Sequence, residues 1–187
     1  MSAHGHVDPS NKKIALLIAI LALVLAFSET LGKGAQTAAL SHYIEASNLW
    51  TFFQAKTVRS TTLRTAAEAL EVEMGQVTRP EQREAMQKRI SDWGKSIARY
   101  DSEPETQEGR KQLAARAKSA EAMRDHSLAA YHNYELASAA IQIAIVLASA
   151  EIITGVVMLT WIAGGLGLVG VVFCALGFLA PTAVHLF

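Results

Sequence analysis

The 52 residues that follow Glu135 contain one formally charged side chain, Glu151, in an otherwise apolar stretch. That is too long for a soluble core helix, whereas a single bilayer crossing takes about 20 apolar residues at a rise of about 1.5 Å each. The stretch is therefore expected to cross a membrane twice. A second apolar block, residues 14–27, lies near the N-terminus. Ser28-Glu29-Thr30-Leu31 follows it without a small-residue cleavage site, so the block reads as a permanent anchor. The average composition hides this division. Overall, 17 Lys and Arg balance 17 Asp and Glu, and residues 34–135 hold 14 of each. That middle segment is neutral and well mixed, without the basic patch that nucleic acid demands.

Helical punctuation divides the chain further. Residues 35–74 contain neither proline nor glycine, and Leu63, Ala66, Ala67, Leu70 and Met74 recur at helical spacing, so the first anchor is expected to continue as one helix from residue 14 to residue 74. Met74-Gly75-Gln76-Val77 breaks it. Thr78 and Glu81 have the spacing of a capping box with Pro80 in the first turn, which predicts a second helix carrying Met86, Ile90, Trp93, Ile97 and Tyr100 on one face. Asp101-Ser102-Glu103-Pro104 ends it, and a third helix is expected from about Glu105 into the second span.

The expected architecture is all-α. It comprises a flexible tail (1–12), three transmembrane helices (13–33, 136–159 and 162–181), a long antiparallel, coiled-coil-like projection outside the membrane (34–135) and a short C-terminal tail (182–187). The last two spans are expected to turn between Thr160 and Gly165.

Small side chains repeat along all three spans. Ala15, Ala19, Ala22 and Ala26 form one row, and Ala137, Ala140, Ala144, Ala148, Glu151 and Gly155 a second. Ala163, Gly167, Gly170, Cys174, Gly177 and Pro181 form a third, close to a heptad of the smallest residues. Lipid offers no hydrophobic drive for helices to associate, so close backbone approach over small residues is what joins them. These rows are expected to be contact faces, within one chain or between copies.

The polar exceptions are the candidates for chemistry. If the first two spans leave the membrane near Lys33 and Glu135, those residues share a level and are expected to pair, with Glu29 near Gln142 in a hydrogen bond. Glu151 has no lysine or arginine in either closing span. With the turn as expected it lies beyond the midplane, level with Cys174, either as a neutral packing contact or as a proton or cation site. Trp50, Phe52, Phe53, Lys56 and Arg59 form an aromatic and basic patch, its aromatics expected to pack on Tyr131 and the third helix and its bases to be solvated. His4, third from the amine once Met1 is removed, is a weak metal-ligand candidate. Phosphate-loop, nucleophile-elbow and paired-cysteine motifs are absent from the sequence, and no cofactor is expected.

Glu45-Ala46-Ser47-Asn48-Leu49-Trp50, continuing through Phe52-Phe53-Gln54-Ala55-Lys56, resembles the hallmark segment of a bacterial membrane family known only as domain of unknown function 4337. Thr62-Leu63-Arg64-Thr65-Ala66-Ala67-Glu68 and Tyr131-His132-Asn133-Tyr134-Glu135-Leu136-Ala137-Ser138-Ala139-Ala140 are similar to it as well, and the tip, residues 78–102, is least so. The resemblance implies one span, a helical middle and two closing spans in a bacterial inner membrane, and no catalytic residues. Lys12 and Lys13 favour a cytoplasmic N-terminus and a periplasmic projection, against Lys33, Arg116, Lys118 and Arg124 near the other end of the spans. The expected function is a non-enzymatic, homo-oligomeric scaffold held in lipid. The competing classes are a small proton or cation channel or transporter using Glu151, and an accessory subunit of a larger membrane complex.

Overall fold

A computed structural model describes residues 9–183; His4 and most of the expected N-terminal tail lie outside the described residues. The described chain is all-α, with α1 (Pro9–Met74), α2 (Pro80–Asp101), α3 (Arg110–Thr154) and α4 (Met158–Leu179). Helices α1, α3 and α4 each contain a segment long and apolar enough to cross a membrane. Helix α1 runs unbroken through Gly32 and Gly34 and starts at Pro9, where a missing N–H costs nothing because the first helical amides have no partner within the helix.

Three boundaries differ from the sequence expectation, each for a local reason. Pro80 forces the preceding residue into extended backbone, so Arg79 (φ −78°, ψ 120°) becomes the N-cap of α2 and the Thr78–Glu81 capping box does not form. Helix α3 starts at Arg110 rather than near Glu105. Residues 102–109 fold back as a loop in which Gln107 takes a left-handed φ of 59°. A side chain at Gly109 would run into the Glu103 amide and would lie 2.8 Å from Ser102 Cα, so only glycine fits this closure. The largest difference is the α3–α4 turn. Gly155, at φ 69°, donates its N–H to the Glu151 carbonyl at 2.8 Å and ends α3, so the chain reverses there and not between Thr160 and Gly165.

Two compact units divide the chain. The first holds residues up to Leu40 and from Met123 onward, and the second holds Ser41–Ala122, within the segment expected outside the membrane. In the first unit α3 is antiparallel to both α1 and α4. Ile14, Leu21, Ile141, Ala144, Ala148 and Ala163 make its core. Close approach of α4 depends on its glycines. A Cβ at Gly170 would collide with Ile141 and come within 3.1 Å of the Ala137 carbonyl, and one at Gly177 would lie 2.9 Å from the Tyr134 ring. At Gly167 it would meet only the flexible tip of Leu21, at 2.6 Å. The α4 row therefore packs within the chain, with Ala163, Gly167, Gly170 and Gly177 buried and Cys174 partly so.

Asn133, also buried, ties down the far end of α4 by donating Nδ2 to the Pro181 carbonyl at 3.0 Å. In the second unit Leu49, Leu113 and Ala117 form the core between α1 and α3, flanked by Trp50 and Phe53.

Gly170→Ala and Gly177→Ala are each expected to destabilise the chain by about 1–3 kcal/mol, as overpacking does. Gly34→Ala, whose added methyl meets nothing within 4 Å, should be neutral or stabilising by up to about 1 kcal/mol. Thermal unfolding in mild detergent, followed by far-ultraviolet circular dichroism, separates the two classes.

Candidate functional site

A cleft of about 330 Å³ opens between α1 and α3 in the first unit. Ser28, Glu29, Gly32, Lys33 and Gln36 line it from α1, and Tyr131, Tyr134, Glu135 and Ser138 from α3. It lies where both helices change character: residues 14–28 of α1 and 136–150 of α3 carry no charge, and charged side chains resume immediately beyond.

Hydrogen bonds fix the cleft floor. The buried Ser28 Oγ donates to the Tyr134 carbonyl at 3.0 Å and accepts from Ser138 Oγ at 3.1 Å. Gly32 lets the helices close to within van der Waals reach of Tyr134, since a Cβ there would stand 3.2 Å from that residue's own Cβ. At the rim, Gln142 Nε2 donates to Glu29 Oε1 at 3.2 Å. Lys33 and Glu135 both line the cleft but do not form the expected ion pair: Glu135 takes His132 Nδ1 at 3.7 Å, and Lys33 has no Asp or Glu within ion-pair distance among the described residues. The level was right, and the side chains point to different neighbours.

Glu151 is not level with Cys174. Cys174 lies between Gly170, which faces Ile141 and Ala137, and Gly177, which faces Tyr134, whereas Glu151 sits in the last turn of α3 at the closed end of the hairpin. About 14 residues of α3, some 21 Å, separate the two levels. The error follows from the misplaced turn. Glu151 is buried, and its carboxylate accepts a hydrogen bond from Thr160 Oγ1 in the first turn of α4.

The aromatic and basic patch belongs to the second unit. Lys56, expected to be solvated, is buried, with its side chain 7% exposed. Its ammonium lies 3.4 Å from Glu103 and 3.8 Å from Glu108, and 5.3 and 5.4 Å from the ring centres of Phe52 and Tyr100. Burial is tolerated because the loop before α3 brings both carboxylates to it, a pairing made across 47 residues of sequence for Glu103. Trp50 Nε1 donates to Glu121 at 2.8 Å, Trp50 packs edge-on to Phe53, and Arg110 stacks over Phe53. Trp50 and Phe53 therefore cover the Leu49–Leu113–Ala117 core against α3, while Phe52 and Arg59 are exposed.

Sequence reasoning missed Glu103, Glu108, Glu121 and Tyr100 as partners of the patch, because an ion pair formed through a loop leaves no periodic trace. It missed Ser28, Ser138 and Asn133 because they are uncharged. Among the described residues, no three His, Cys, Asp or Glu side chains come together as a metal site.

Two substitutions test these contacts. Lys56→Met leaves Glu103 without its main partner and should cost about 1–3 kcal/mol, with faster amide exchange across residues 102–112. Glu151→Gln keeps an acceptor for Thr160 and should change the melting temperature little, whereas Glu151→Ala should cost about 1–3 kcal/mol.

No curated protein and no solved structure matches this chain. Residues 10–180 match a family described as "Domain of unknown function (DUF4337)", which takes in α1 from its second residue through the whole of α4. The chain therefore belongs to the DUF4337 family.

Proposed function

We propose that this protein is a non-enzymatic membrane scaffold that crosses the bilayer three times through its first unit, self-associates there, and presents the helical unit 41–122 to partner proteins on one side. The outer surface of the first unit supports the membrane part. Leu16, Ile20, Leu23, Phe27, Val146, Leu168, Val172, Phe178 and Leu179 are all exposed, so helices that would bury an apolar stripe in a soluble domain are apolar outside as well. Helix α4, with 22 residues, reaches about 33 Å, against a hydrocarbon core of about 30 Å. Trp161, 80% exposed, sits in its first turn, where interfacial aromatics are favoured.

One observation carries the oligomeric reading: the three small-residue rows are used unequally. Those of α3 and α4 are mostly consumed inside the chain, Gly155 being exposed and Ala140 partly so, but Ala15, Ala19, Ala22 and Ala26 of α1 are all exposed. In lipid such a row is the surface over which a second copy approaches most closely. Lys12 and Lys13, at the end of α1 remote from the cleft, favour that end in the cytoplasm and the 41–122 unit in the periplasm of a bacterial inner membrane.

The full chain should stay with membranes through alkaline carbonate. In mild detergent it should have the mass of an oligomer, and Ala19→Cys in a Cys174→Ala background should form a disulfide-linked dimer that Ala22→Leu abolishes. A strictly monomeric mass with no cross-link at Ala15, Ala19 or Ala22 would remove the oligomeric scaffold. Release by carbonate would remove the membrane reading.

A further inference from the structure

The cleft between α1 and α3 has a charge pattern that selects its ligand. Its volume, about 330 Å³, is at the small end of ligand sites, which run from about 300 to 1,000 Å³, so it suits a headgroup and not a whole lipid. It straddles the level at which both helices pass from uncharged to charged sequence. On the membrane reading proposed above, on which this inference rests, that level is the headgroup layer of one leaflet.

Its walls carry one ammonium, Lys33, and two carboxylates, Glu29 and Glu135, the latter with one oxygen 3.7 Å from His132 Nδ1. Lys33 has no carboxylate within ion-pair distance among the described residues and is available to an anion. Glu29 is oriented by Gln142, which engages one oxygen and leaves the other open. A purely anionic headgroup would face two negative charges for one positive, and a simple cation would face Lys33. A headgroup with both signs, spaced by a short linker, satisfies all three.

Its cationic end should carry N–H donors, because carboxylates accept charge-assisted hydrogen bonds from a primary ammonium and none from a quaternary one. Quaternary ammonium recognition uses a cage of aromatic faces. Here Tyr134 is committed to packing on Gly177 and Tyr131 lies against His132, ring centres 5.6 Å apart, so the wall offers no such cage. We propose that this cleft binds the headgroup of a phosphatidylethanolamine-type aminophospholipid, its phosphate on Lys33 and its ammonium between Glu29 and Glu135. The serines and Gly32 hold the two helices at the separation this needs.

Native mass spectrometry of the full chain, released from bilayers with equal amounts of phosphatidylethanolamine, phosphatidylcholine and phosphatidylglycerol, tests the proposal. Phosphatidylethanolamine should be retained about tenfold over either competitor, the value of one charge-assisted hydrogen bond. Lys33→Gln combined with Glu135→Gln should erase the preference while circular dichroism and oligomer mass stay unchanged. Lys12→Gln with Lys13→Gln, at the opposite end of the apolar segment, should leave it intact. Retention in proportion to supply, or a preference that survives the Lys33/Glu135 variant, overturns the proposal. So does displacement of the bound lipid by millimolar soluble phosphoethanolamine, which would make the ligand a free phosphoamine. A chain that resists carbonate but shows no lipid preference fails this inference alone, whereas a chain released by carbonate fails the membrane reading.

Discussion

The first unit depends on how closely α4 can approach α3. The outer faces of its apolar segments expose Leu16, Leu23, Val146 and Leu168 just as its core buries leucine and isoleucine, so hydrophobicity alone does not select which faces meet, and close backbone contact does. Gly170 and Gly177 allow that contact, one against Ile141 and the Ala137 carbonyl and the other beneath the Tyr134 ring. The same contact fixes the ends of the hairpin. With α4 seated on α3 in this register, Thr160 meets Glu151 at the closed end and the Pro181 carbonyl meets Asn133 at the open end.

Among the described residues five polar side chains are buried, and four of them, all but Ser60, mark places where two elements lock. Ser28 bridges α1 to Tyr134 and Ser138, Asn133 holds the end of α4, Glu151 holds its start, and Lys56 gathers the loop before α3 onto α1. In an apolar setting an unsatisfied polar group costs more than a satisfied one contributes, so these contacts specify register more than they add stability. Asn133 Oδ1, like Arg110 Nε and His42 Nδ1, is buried without a hydrogen-bond partner, and the fold offers no account of it. This arrangement gives Glu151 a structural explanation. It sits in the last turn of α3 and accepts the Thr160 hydroxyl from the first turn of α4, so it joins the two helices at their turn.

Much of this was legible in the sequence and some was not, for separable reasons. The helices were legible because α1 and α3 lack breakers over long stretches and because Met86, Ile90, Trp93, Ile97 and Tyr100 repeat at 3.6-residue spacing. The neighbourhood of Glu29 and Gln142 was legible because antiparallel helices of constant rise bring predictable levels together. The turn at Gly155 was not, since valine, methionine and leucine flank it and several glycines nearby are equally plausible breakers until one adopts a left-handed φ. That single misplacement moved Glu151 from the hairpin end to the level of Cys174.

By itself the sequence determined the class: all-α, with three segments apolar enough to span a bilayer, a neutral helical middle and a family. Those properties are local or additive, set by backbone propensity and by the transfer energy of one side chain after another. Only the tertiary structure decided which small-residue rows are spent within the chain, that Lys56 is buried between rings and carboxylates, that Lys33 and Glu135 share a cleft without pairing, and that α1 keeps an alanine face outward. These depend on side-chain direction and on contacts between residues far apart in sequence. A periodic pattern gives the face on which a residue lies and the level it reaches, but not the neighbour its side chain meets.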